Sequence, residues 1–151
     1  MKSLKVLLTI LAFSISSTCF AQYVPDPNIW KEYSPPNKKG TIYYAPDKID
    51  CFQDGAYFWT LWAENSDKDI YHLYRWRAFF PEKYMDDSYY KKVDGKTGKV
   101  LTEHNIEADY NSGSIQRNPK HYTHKYYIGF ERIVNEAYDK WLGKYQPTNA
   151  K

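Results

Sequence analysis

The sequence predicts an α+β fold, an antiparallel β-sheet packed against a C-terminal amphipathic α-helix, after a cleaved signal peptide. Three observations carry that reading. Residues 1–21 run basic, then apolar, then small, which is the order of an export leader. Several short runs between residues 41 and 103 alternate along the chain and are rich in Tyr, Trp and Phe, which suit a pleated surface. Near the end, apolar residues recur at spacings of three and four, the period of a helix with one buried stripe.

In the leader, Lys2 and Lys5 supply the basic part, residues 6–15 the apolar part, and Cys19 and Ala21 the small-x-small cleavage site, so the mature chain is expected to begin at Gln22. The apolar run is shorter than the ~20 residues that span a bilayer, and no later run approaches that length, so no membrane span is expected. A lipoprotein cut at Cys19 is the alternative, but Ser16-Ser17-Thr18 lacks the Leu and the Gly or Ala such a site prefers. Of the 21 cations, Lys2 and Lys5 leave with the leader, so 19 face 18 acids in the mature chain. That near-balance argues against a nucleic-acid partner, which selects a marked basic excess. Cys51 is the only cysteine left, and it is expected to be buried, or else to pair with another chain.

Residues 22–40 read as an extended lead-in, because Pro25, Pro27, Pro35 and Pro36 remove donors and disfavour helix before them. Trp30 within it is expected to pack on the domain, which spans 41–145 and is followed by a tail at 146–151. Residues 41–45 form a strand stopped by Pro46. Asp54-Gly55 turns the chain into a second strand, 56–63, which is apolar on both faces and so belongs inside the sheet. Asn65-Ser66-Asp67 turns it again. From Ile70 the residues alternate strictly: Ile70, His72, Tyr74, Trp76, Ala78 and Phe80 on one face, Tyr71, Leu73, Arg75, Arg77 and Phe79 on the other. The arginine face is expected to look toward solvent or an interface. Residues 81–87 read as a loop, and 89–93 with 99–103 as a hairpin around Asp94-Gly95-Lys96-Thr97-Gly98. Residues 106–121 are polar and read as loop. Tyr127, Phe130, Val134, Ala137 and Trp141, widened by Ile133, Tyr138 and Leu142, make the helical stripe; Glu136 and Lys140 form an i,i+4 pair, and Gly143 is placed to cap it.

Chemistry-bearing motifs are sparse. His121 and His124 are three apart and Glu131 follows, but zinc asks for at least three matched protein ligands, so these read as exposed polar residues and no metal or other cofactor is expected. Asp86-Asp87 and Glu103, Glu107 and Asp109 are the paired acids; a hydrolase needs two of them converging across a cleft, which spacing alone does not give. No nucleophile elbow, phosphate loop or dinucleotide fingerprint occurs, so an enzyme is not expected. The recognition candidates are Arg75 and Arg77 with Tyr71, Lys91 and Lys92, since Arg beside aromatic rings is enriched at protein interfaces. Their alternative is a solvated strand face whose arginines pair with acids such as Asp67 or Glu82.

Trp30, "GTIYYAPDKI" (residues 40–49) and "FWTLW" (residues 58–62) together resemble the opening of surface-adhesin protein E-like domains, with Tyr43, Tyr44, Ile49 and Trp62 at the matching places. The likeness covers the first third of the mature chain. Those domains are small exported bacterial proteins built as an antiparallel sheet with a C-terminal helix. Members often carry one cysteine in a later strand and another near the end; this chain has neither, and its Cys51 sits early. The resemblance implies a periplasmic, surface or secreted binding module with a protein partner, no catalytic residue and no cofactor. A periplasmic inhibitor or immunity protein that blocks a hydrolase is the alternative.

Overall fold

The computed structural model describes residues 25–33, 40–64, 69–124, 127 and 129–145. The expected leader at 1–21, Pro35 and Pro36 of the lead-in, the turn at 65–67 and the tail at 146–151 lie outside the described residues. Among the described residues, eight strands form one antiparallel sheet: β1 (Lys31–Glu32), β2 (Gly40–Tyr44), β3 (Asp50–Phe52), β4 (Gly55–Glu64), β5 (Ile70–Phe79), β6 (Tyr84–Asp94), β7 (Val100–His104) and β8 (Lys120–His121). Helix α1 (Ile106–Ser112) and helix α2 (Glu131–Tyr145) complete it.

The spatial order is β1-β2-β4-β5-β6-β7, with β3 also on β4 and β8 also on β6. Long β4 and β5 are paired along nearly their whole length, from Gly55↔Phe79 to Ala63↔Tyr71. Their outer neighbours are split. Beside β4, β2 covers residues 60–64, a 3-10 turn at Pro46–Lys48 swings the chain, and β3 covers 55–57. Beside β6, β7 covers 90–93 and β8 covers 84–85. Between them α1 packs on β6, over the stretch where a bulge slips the register between Arg75 and Trp76. A bulge leaves one residue without a ladder partner, here Ser88, and re-aims its neighbours.

The core lies between one face of this sheet and α2. Tyr44, Cys51, Ala56, Phe58, Ala78, Phe80 and Met85 come from the sheet; Ile133, Val134, Ala137 and Trp141 come from the helix, with Tyr127 and Phe130 leading into it. Phe58, Met85, Ile133 and Val134 are fully buried, each contributing about 1.5–3 kcal/mol or somewhat more. Polar contacts fix where the helix sits: Lys140 Nζ donates to the Pro46 carbonyl at 2.7 Å, Trp141 Nε1 to Gln53 at 3.2 Å, and Lys144 Nζ to Cys51 at 2.9 Å. Cys51 is buried, as expected, and burial pushes its thiol pKa up.

Three expectations are corrected. Residues 106–112 are helix, capped by Asn105, whose side chain accepts from the Ala108 amide, and closed by Gly113 in the left-handed region. Strand β6 begins at Tyr84, inside the stretch read as loop. Helix α2 starts at Glu131 instead of Tyr127, because Gly129 has φ 99° and breaks any helix before it; it then runs through Gly143 to Tyr145. The Glu136–Lys140 pair is present at 3.5 Å. Among the described residues no helix is long and apolar enough to cross a membrane.

Candidate functional site

The face of the sheet opposite α2 carries Tyr57, Trp59 and Leu61 from β4, Tyr71, Leu73, Arg75 and Arg77 from β5, and Tyr89, Lys91 and Val93 from β6. It divides into two parts. At one end α1 and the segment after it form a clamp over the arginines. At the other a cleft stays open.

In the clamp, Arg77 Nη1 donates to Glu107 at 3.1 Å and Arg117 Nη2 to the same oxygen at 2.7 Å. Arg117 Nη1 reaches both oxygens of Asp86, at 3.1 and 2.9 Å. Arg77 also lies 3.5 Å from Asp54, and Arg75 Nε donates to Ser88 Oγ at 2.9 Å. The rings between them serve as cation platforms: Arg75 lies over Tyr57 at 4.7 Å, Arg77 over Phe79 at 4.7 Å, and Arg117 over Tyr110 at 4.3 Å. Burial raises the Asp86 carboxyl to about 6 even though Arg117 pulls the other way. Burial works against the Arg117 charge, yet its hydrogen bonds and attraction to Asp86 and Glu107 outweigh that and hold its pKa up. Arg77 Nε and Glu107 Oε2 are buried with no hydrogen-bond partner among the described residues.

The open end is a cleft of about 260 Å³ lined by Trp30, Leu61, Tyr71, Leu73, Lys91, Val93 and Gly98. Trp30 thus packs against the sheet, as its place in the lead-in suggested. Gly95 has to be glycine here, because a Cβ would run into the Tyr71 ring and the Asp69 carbonyl. The Tyr71 ring is thereby fixed as a buried wall of the cleft. Next to it, Trp59 and Tyr89 meet edge to face at 5.6 Å, and the Tyr89 hydroxyl donates to Glu103. Burial and then that bond push the Tyr89 hydroxyl up to about 12.

The five candidate residues are therefore not one site. Tyr71 and Lys91 share the open cleft; Arg75 and Arg77 are held in the clamp; Lys92 alternates onto the other face, opposite His72. The arginine face is less open than expected, for a physical reason: α1 brings Glu107 down onto it. Among the described residues the acids that pair there are Glu107 and Asp54; of the two the expectation named, Glu82 is not among them and Asp67 lies outside the described residues. Asp86 and Asp87 do not converge; as neighbours in a strand they point to opposite faces. No family model, no curated protein and no solved structure matches this chain. Arg117 was not named as a site residue, and Asp86 was named only as half of an acid pair with Asp87. Reading 84–87 as strand would have separated the two acids, but Arg117 sits in a polar run with no periodic signal.

Among the described residues, no three His, Cys, Asp or Glu side chains are grouped to hold a metal. His121 Nδ1 is spent on Thr123 Oγ1 at 2.8 Å. The arrangement offers an apolar socket rimmed by a cation, beside a rigid wall of rings.

Proposed function

We propose that the protein is an exported, non-catalytic bacterial binding module of the surface-adhesin E-like type, acting through protein–protein contact in the periplasm, at the cell surface or after secretion. The observation that supports this best is the open cleft between Trp30, Leu61, Tyr71, Leu73 and Val93 with Lys91 on its rim. Small apolar sockets beside Trp, Tyr and Arg are where binding energy concentrates at protein interfaces. An apolar anchor of the partner would fill the cleft, and an acid next to it would meet Lys91. The leader-like residues 1–21 and the short aromatic motifs of the first third support the exported class. The near-zero mature charge speaks against nucleic acid.

The test is surface binding to a panel of purified extracellular-matrix proteins, comparing the native chain with Leu73→Asp, and with Asp139→Ala on the exposed side of α2. At least one matrix protein is expected to bind saturably, Leu73→Asp to abolish that binding, and Asp139→Ala to leave it unchanged. Absence of binding across the panel would sink the adhesin reading. Binding that survives Leu73→Asp would remove the cleft from it.

A further inference from the structure

Beyond the reach of α2, the helix-bearing face of the sheet changes character. Trp62, His72, Tyr90 and His104, one from each of β4, β5, β6 and β7, form a ladder of rings. Trp62 and His72 lie 5.0 Å apart, His72 and Tyr90 6.0 Å, and Tyr90 and His104 6.3 Å at 14°. Tyr74 joins it 5.0 Å from Tyr90. None of these rings belongs to the core under the helix. Where the ladder meets α1 there is a shallow, open cleft of about 410 Å³ lined by Tyr74, Asp87, Tyr90, His104, Ile106 and Asp109.

The charge on this cleft is one-sided. Arg75, Arg77 and Arg117 are taken up by Asp54, Asp86 and Glu107 on the opposite face. Asp87 and Asp109 enter no ion pair among the described residues; Asp87 receives only the Tyr110 hydroxyl, at 3.4 Å. Neither Lys nor Arg lines the cleft, Lys92 lying one residue pair further along the same face. The Tyr74 hydroxyl reports the local field: burial, then Tyr90, Asp87 and Glu64, push it up to about 12.

We propose that this ring-lined cleft binds a small organic ammonium group, seated on Tyr74, Tyr90 and His104 and neutralised by Asp87 and Asp109. Ring faces carry negative charge density and attract a cation, and an alkylated ammonium sheds its water more easily than a metal ion does. A neutral sugar would use the rings but would leave both carboxylates uncompensated. The ammonium group comes either from a free amine or from a lysine side chain of a partner. This inference does not rest on the matrix-protein reading, which concerns the other face.

The test is a titration of the protein with choline, followed by the ring-proton NMR signals of His104 and His72. Its uncharged isostere 3,3-dimethylbutan-1-ol and N-acetyl-lysine methylamide are run in parallel. Choline or the lysine derivative is expected to shift His104 saturably, and the tighter of the two names the source. The isostere is expected to bind at least about tenfold more weakly, as is choline to the Asp87→Asn/Asp109→Asn variant, for lack of charge. Equal binding of the isostere, or no saturable shift with either cation, would overturn the proposal; this comparison uses the unmodified protein and does not depend on the variant's folding. Unchanged choline binding by a folded variant would overturn it as well.

Discussion

Phe58 and Tyr90 are rings on the same face of one sheet, two strands apart, and they occupy different environments. Phe58 lies under α2, 1% exposed, edge to face with Phe130 at 6.5 Å. Tyr90 lies past the end of the helix, half-buried in a ladder of rings whose polar edges are satisfied one by one: its hydroxyl meets His72 Nδ1 at 3.0 Å, and His72 Nε2 meets Glu64 at 2.6 Å. The change falls at Trp76, whose indole donates to buried Thr60 at 2.8 Å while its ring packs against Tyr127 and Phe130. A fifteen-residue helix is about 22 Å long and cannot cover the three long strands β4, β5 and β6 from end to end. Among the described residues, Trp62, Tyr74 and Tyr90 are therefore left half-buried and His104 exposed, with His72 buried among them, although their composition reads as core. Aromatic content alone does not distinguish a core from a binding surface; the position of the covering helix does.

The largest effect expected from breaking this division comes from Trp141→Asp. It replaces the ring that fills the layer of Phe80 and Tyr138 with a carboxylate, and Lys144 could meet that charge only by giving up its bond to the Cys51 carbonyl. Loss of the cooperative urea transition is expected; a transition near the native midpoint would show that α2 does not seal the core.

Next is Arg117→Ala, which leaves Asp86 buried without its main partner. Removing one member of a buried pair costs about 3–5 kcal/mol. The pH dependence follows from the sign of the shift. Asp86 already binds its proton more tightly when folded, at about 6 against an ordinary 3.8, so its contribution to stability falls as pH rises through that window. Without Arg117 the carboxyl rises further. The variant's deficit is therefore expected to be greatest above pH 6 and to shrink toward pH 4, in urea unfolding at pH 8 and pH 4.5. A deficit independent of pH would mean the clamp acts by packing alone.

How much of this was legible in the chain depends on whether the signal is local. β4 and β5 were readable because alternation and two-sided apolarity are written into consecutive residues, and α2 because its stripe repeats over four turns. Helix α1 was not, since "IEADYNS" offers one large aliphatic residue and one ring; it is held by the Asn105 cap and by Glu107 reaching arginines about 30 residues earlier. Two-residue β1 and β8 carry no period at all. In the site, the residue types at Arg75, Tyr71 and Lys91 were a sound guide to a face, but which of them stay available was decided by α1 and Arg117, at a distance in sequence. The ring ladder was spread over four strands and became visible only through their register.

One paired measurement bears most directly on the division of the sheet: equilibrium urea unfolding of Phe58→Ala and Tyr90→Ala, the same kind of deletion on the same face. Phe58→Ala is expected to cost about 3–5 kcal/mol, as ring deletions in a core do. Tyr90→Ala is expected to cost about 1–2 kcal/mol, the value of a half-buried ring and one hydrogen bond. Equal losses would contradict the account, because the ring ladder would then be core and α2 would not mark its boundary.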